Sequence, residues 1–142
     1  MERKKTFNSF IYLQMAFLEN KHSSGKSRTF LTASSTTIKK GDALTIDSGY
    51  VTPVTASVTA NSPIVIAEKD VTTASGEHLE LECILVDPTL EFLADTDAAT
   101  AQAQVGASYK FKSARVVDNA TAGWPCRVVE ILPNKKAVIR FF

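Results

Sequence analysis

The sequence is short of residues that do chemistry. Its whole stock of cysteine and histidine is Cys83, Cys126, His22 and His78, too few and too scattered for any zinc-ligand spacing. Two lone cysteines make no disulfide framework, and both are expected as reduced thiols. There is no G-x-S-x-G elbow, no G-x-x-x-x-G-K-[ST] loop and no G-x-G-x-x-G turn. These absences exclude the common nucleophile-elbow, phosphate-loop and dinucleotide architectures. Trp124 is the sole tryptophan, a thin basis for an aromatic glycan-binding patch. No solenoid repeat occurs. No catalytic residue, metal or cofactor is expected, and the chain does not read as an enzyme.

Long apolar runs are missing too. The longest, Phe10 to Leu18, is interrupted by Gln14 and falls far short of the ~20 residues of a membrane span. Arg3-Lys4-Lys5 ahead of it imitates a signal peptide, but no A-x-A-like cleavage site follows directly. A cytosolic product without membrane insertion is expected.

What remains is a globular composition, 44% apolar and 22% charged, over 142 residues, enough for one well-buried core. Threonine in short runs such as Ser34-Ser35-Thr36-Thr37 and Val71-Thr72-Thr73 favours strand over helix. Net charge is +1, yet residues 1–40 carry eight Lys or Arg against Glu2 and Glu19, a balance of +6, and residues 41–142 balance at −5. A basic N-terminal segment on an acidic body points to an arm that contacts something acidic: nucleic acid, a membrane, or a neighbouring subunit. Phe7, Phe10, Ile11, Met15 and Leu18 fall near helical spacing, so a short helix there would be apolar over most of its circumference and buried, either on its own domain or on a partner. The polar stretch Glu19 to Arg28 reads as a linker. The division is an arm and linker over residues 1–28 and a β-rich body over 29–142.

The body is organised around Ile38 to Pro53. Lys40-Gly41-Asp42 reads as a turn, Leu44 and Ile46 alternate with polar neighbours, and Asp47-Ser48-Gly49 turns the chain back toward Tyr50-Val51-Thr52. Further strands are expected at 29–33, 64–68, 77–86, 90–93, 108–111, 114–117, 126–132 and 137–142. Leu79, Leu81, Cys83 and Leu85 predict one buried face opposite Glu80 and Glu82, and Val129 with Ile131 predicts another. Strand 77–86, entered through Ala74-Ser75-Gly76, is expected to pair with Ile64-Val65-Ile66, and Pro133-Asn134-Lys135 to close a C-terminal hairpin. Asp95-Thr96-Asp97 before Ala98 to Gln104 carries the one helix signal of the body, an acidic N-cap with Gly106 as stop.

Two patterns imitate chemistry. Glu80 and Glu82 share a strand face roughly 7 Å apart by strand rise, within the range of carboxylate pairs, but such acids are ordinarily a strand's solvated side. Tyr109 to Arg115 interleaves aromatic and basic residues as a nucleic-acid-binding barrel does, but equally suits a strand with Tyr109 and Phe111 inward and Lys110 and Lys112 in solvent.

Ile38-Lys39-Lys40-Gly41-Asp42, the strand Pro63 to Ala67, and Val105 to Phe111 followed by Val116-Val117-Asp118 and Val128-Val129-Glu130 resemble tailed-phage capsid decoration (cement) proteins, over roughly residues 30–142. The resemblance implies a mainly β protein, a small β-barrel or β-tulip-like body, here with one short helix and an extended N-terminal arm. It implies a virion component made in the host cytoplasm that sits on the outer capsid surface, often as a trimer. Its partners would be the major capsid protein and neighbouring copies of itself, and its role to stabilise the shell. Arg3, Lys4, Lys5, Phe7, Phe10, Ile11, Met15 and Leu18 are the expected capsid-contacting residues. The competing reading is a nucleic-acid-binding β-barrel module, with Arg3-Lys4-Lys5 on phosphate.

Overall fold

Asp47 and Tyr50 face each other across a two-residue turn, Ser48-Gly49, in which both residues take positive φ, 53° and 90°. The twist of such a mirror-image turn matches that of paired strands, and glycine adopts it without steric cost. It joins strands β4 (Ala43–Asp47) and β5 (Tyr50–Pro53) of a computed structural model that describes residues 18–19, 26–58, 63–86 and 88–141. Pro53 is tolerated because β5 lies at the end of its sheet.

Around this hairpin stands a five-stranded antiparallel sheet. Its order runs from β2 (Lys26–Leu31) through β8 (Glu80–Leu85) and β6 (Ile64–Ala67) to β4 and β5. The sheet curls on itself. Thr32, just past β2, bridges Val51 of β5, and Ala33 N–H donates to the Val51 carbonyl at 3.0 Å. A two-stranded ladder, β3 (Thr37–Ile38) with β7 (Val71–Thr72), contributes Ile38 and Val71 to the same core.

The C-terminal half closes completely. β9 (Phe92–Thr96), β11 (Val116–Ala122), β10 (Ser108–Ser113), β12 (Cys126–Leu132) and β13 (Lys136–Phe141) follow one another in space, and β13 pairs back onto β9. The β9–β11 contact is parallel and the other four are antiparallel. The fold is therefore mainly β with barrel-like closure, as expected. A final two-residue strand, β1 (Leu18–Glu19), adds to β9 outside the ring.

Two cores result. The larger is built on Phe92, Phe111 and Phe141, with Cys126, Val128 and Ile139, and it also receives Ala43, Ile64 and Ile66 from the first sheet. The smaller holds Ile38, Leu44, Val51, Val65, Ala67, Leu81 and Cys83. β6 is the shared wall: Ile64 and Ile66 face one core, Val65 and Ala67 the other. This is why its sequence is apolar at every position instead of alternating. Each fully buried aliphatic or aromatic side chain contributes about 1.5–3 kcal/mol of transfer free energy.

The joint between the barrels is polar as well as apolar. Gly41 takes φ 89°, which lets the Lys40-Gly41-Asp42 turn form, and the Asp42 carboxylate accepts the Lys39 N–H at 2.9 Å. Its other oxygen accepts from Arg115 of the second barrel, and Ala43 N–H donates to the Ala114 carbonyl at 2.8 Å.

Four expectations are corrected. Asp95 and Thr96 belong to β9, not to a helix N-terminus, and the helical content here is one 3-10 turn, Gln102–Gln104. Closing the ring requires Asp95 to pair with both Lys136 and Val116. The carbonyls of Ala98 and Ala99, which a helix would use, accept instead from the buried Asn119 amide at 3.1 and 3.3 Å. Tertiary partners override the local N-cap preference. Second, Val129 does not face the barrel core. Val128 pairs with Ile139 and Glu130 with Val138, so Val129 is the extra residue of a β-bulge, and Ile131 rejoins the core side. Third, Leu79 lies before β8 and is 36% exposed, its N–H held by the Thr32 hydroxyl at 3.0 Å. Fourth, β2 begins at Lys26, three residues before the strand expected at 29–33. Lys26 to Arg28 is polar because it forms a sheet edge, not because it is a linker.

Candidate attachment surface

Of the residues expected to meet a partner, Arg3, Lys4, Lys5, Phe7, Phe10, Ile11 and Met15 lie outside the described residues. Leu18 is the exception. It pairs with Leu93, and Glu19 with Phe92, so these two residues form an added strand on one edge of β9. That edge is shared. β11 occupies it at Asp95 and Thr96, while the opposite edge is filled by β13 from Asp95 to Phe92.

The sheet face at this junction is unusual. Phe92 and Ala94 point into the barrel, as do Ala137 and Ile139, and the residues between them, Leu93 and Val138, point out. They are nonetheless buried, at 1% and 4% exposure, and are each other's cross-strand partners. Val129, displaced by the bulge, and Leu132 pack with them and are half-buried. An apolar outer row thus continues the β1–β9 register across β13 to β12. Sequence reasoning missed it, although Phe92-Leu93-Ala94 and Ala137-Val138-Ile139 carry the signal: three consecutive apolar residues mark a strand covered on both faces.

Elsewhere the outer surface is engaged with itself. Lys112 lies 3.8 Å from Asp97, Arg115 donates to Asp42 at 2.5 Å, Arg140 donates to Glu91 at 3.0 Å, and Lys136 pairs with Asp95. In Tyr109 to Arg115, Phe111 is fully buried, Tyr109 packs partly against the core, and the Lys110 stem lies against Gly123. The aromatic rings of that stretch are thus core elements, and two of its cations already have carboxylate partners. Nearby, Asp118 titrates below the usual carboxylate range because it accepts from the Thr121 hydroxyl and the Ala120 N–H.

The remaining candidates serve structure. His78 donates from Nδ1 to the Thr32 carbonyl at 2.8 Å and stacks on Tyr50, centroids 3.9 Å apart and planes 13° from parallel, which fixes the loop before β8 to the β4–β5 hairpin. His22 lies outside the described residues. Glu80 and Glu82 are exposed beside Thr29, Lys69 and Asp70 on an open depression of about 210 Å³. A second shallow groove, about 380 Å³, is lined by hydroxyls of Thr45, Thr52, Thr55 and Ser57 with Asp47. Cys83 and Cys126 are free and buried in different cores. Burial, with Glu68 nearby, pushes the Cys83 thiol up to about 12, and burial raises Cys126 as well. Among the described residues no three His, Cys, Asp or Glu side chains gather as a metal site, and no helix is long and apolar enough to cross a membrane.

Comparison of the chain with protein-family models, with curated proteins and with solved structures finds no match in any of the three.

Proposed function

We propose that this protein is a structural component of a particle surface: a decoration protein that binds the outside of a tailed-phage capsid between major capsid protein subunits and stabilises the shell. Besides the resemblance, one observation carries the reading. A five-stranded curled sheet and a closed barrel meet in a common core on one face of β6 and are tied by Asp42 and Arg115, making a stiff body in which Leu18–Glu19 adds as a strand on β9. A rigid block with a charged strap suits bridging of neighbouring subunits, because weak contacts repeated over a symmetric lattice give avidity. The competing nucleic-acid reading has less support, since Lys112 and Arg115 are paired with carboxylates of the chain itself.

The test is co-sedimentation of purified protein with expanded capsids that lack decoration. Saturable binding in proportion to lattice sites is expected. Absence of binding to shells, together with DNA affinity that falls steeply with salt, would replace this reading with the nucleic-acid one.

A further inference from the structure

One face of the β4–β5 hairpin carries hydroxyls, and the loop after β5 sets further hydroxyls across a groove from them. We infer that this groove is a saccharide site. Thr45, Thr52 and Asp47 bind the hydroxyls of a sugar ring, and Pro53 and Val58 lie against its C–H groups.

The alternation of β4 builds the first wall. Ala43 points into the larger core and Leu44 into the smaller, so Thr45 and Asp47 lie on the face of Ala43 and continue it beyond the core. Thr45 is paired directly with Thr52 of β5. Their Cβ atoms are therefore about 4.5–5.5 Å apart, which lets the two hydroxyls reach adjacent groups of one ring. Both residues are half-buried, and neither hydroxyl has a partner among the described residues. Asp47 follows about 7 Å further along the same face. The Ser48 hydroxyl donates to one of its oxygens at a long 3.4 Å, and the other has no partner among the described residues.

The second wall is held in place by its own hydrogen bonds. The Thr55 and Ser57 hydroxyls bond to each other at 2.8 Å. Ser57 N–H donates to the Thr55 hydroxyl at 3.3 Å, and Val58 N–H to the Thr55 carbonyl at 3.2 Å. Between the walls the groove measures about 380 Å³, within the range of small-ligand sites.

The lining selects the ligand class. No cationic side chain is among the lining residues, and Asp47 repels an anion. One carboxylate among hydroxyls is a poor divalent-cation site. An apolar ligand would strip water from these polar side chains and give them no hydrogen bond in return. A sugar hydroxyl both donates and accepts, as the Thr and Ser hydroxyls do, and a carboxylate accepts from two adjacent hydroxyls at once. A neutral polyhydroxylated ring meets every one of these conditions. No lining residue is aromatic, so hydrogen bonds carry the affinity.

The inference does not rest on the decoration reading, and its test uses no shells. Full-length protein with labelled threonine methyls is titrated with glucose, galactose and N-acetylglucosamine, each as the free sugar and as its methyl glycoside. At least one should shift the Thr45 and Thr52 methyl resonances saturably while the Thr96 methyl of the second barrel stays fixed. Equal affinity for the methyl glycoside assigns the groove to the end of a glycan chain, and binding of the free form alone assigns it to a free sugar. Thr52→Val keeps the side-chain shape and strand preference, so its several-fold loss of affinity, read at Thr45, reports the missing hydroxyl. Asp47→Ala should weaken binding about tenfold, because its bonds are charge-assisted. Glu82→Gln, on the other depression, should bind as the parent does. Absence of saturable shifts with any of these compounds would overturn the inference. So would full affinity in both groove variants, or equal shifts with glycerol, which would mean an adventitious additive only.

Discussion

Arg115 and Asp42 lie 73 residues apart and belong to different barrels, yet the guanidinium reaches the carboxylate at 2.5 Å. The Asp42 side chain is 6% exposed and the Arg115 side chain 40%. The two residues therefore carry unequal weight. Asp42 also receives the Lys39 N–H and so shapes the turn that opens β4.

Asp42→Ala strips that N–H of its acceptor and leaves the guanidinium unpaired at once. A loss of about 1–3 kcal/mol is expected, the usual cost of orphaning a buried hydrogen-bonding group. Arg115→Ala should cost less, because the Asp42 carboxylate keeps its Lys39 N–H. Urea midpoints of the two variants check the order. Equal losses would mean that the ion pair, not the turn, carries the joint.

The Leu79–Leu81 pair tests the phase of β8. Leu81 is 3% exposed in the smaller core, so Leu81→Asp places an unpaired charge there at a cost of several kcal/mol and should unfold that barrel. Leu79→Asp sits outside the strand and should stay within about 0.5 kcal/mol of the parent. Thermal melts of both proteins distinguish the structure from a strand that begins three residues earlier, at Glu77.

The thiols give a pH prediction. Cys83 is raised in the fold from the ordinary 9.0 to about 12, chiefly by burial. Above pH 9 the unfolded chain releases a proton that the folded chain retains, so the unfolded state binds fewer protons and stability falls as pH rises. The contribution is intact below pH 9 and lost progressively toward pH 12, with Cys126 acting in the same sense. Cys83→Ser should flatten the alkaline limb of a stability profile. Both thiols should be unreactive in the native protein and both titrate after denaturation, since they lie in separate cores and form no bridge.

Much of this fold was legible because its signals are local. Ser48-Gly49 and Pro133-Asn134-Lys135 close the hairpins their residues predict, and β12 occupies Cys126–Leu132 as expected. The failures share one cause, partners distant in sequence. Asp95 reads as a helix cap until Val116 and Lys136 claim it for a ladder, and the inward phase expected for Val129 fails at a bulge that only pairing with β13 reveals. Two-residue strands such as Thr37–Ile38 and Val71–Thr72 are too short to show a period. Of the expected contact residues, Leu18 alone has a described position, and its partner Leu93 carried no sequence signal pointing back to it.

The last prediction concerns what the body does for a shell. Because β2 begins at Lys26 and β1 at Leu18, the informative truncation removes residues 1–17 and leaves every described strand in place. Triple replacement of Arg3, Lys4 and Lys5 by Ala is the finer cut, since it removes only the basic cluster. If the basic cluster is the attachment device, the triple variant should fold as the parent does and fail to decorate. The gain from decoration follows from linkage: a ligand that binds only the intact lattice stabilises it by RT ln(1 + [L]/Kd), about 2.7 kcal/mol per site at a hundredfold excess over Kd. Closely packed barrel interiors have no slack to absorb deformation, so that free energy opposes rupture of the lattice instead of being lost to bending of the clamp. Shells carrying the parent protein should therefore withstand higher temperature or more chelator than bare shells, and shells incubated with the triple variant should match the bare ones. Bare and decorated shells that rupture at one temperature would make the protein an appendage, and a triple variant that protects as well as the parent would move attachment from the arm to the barrels.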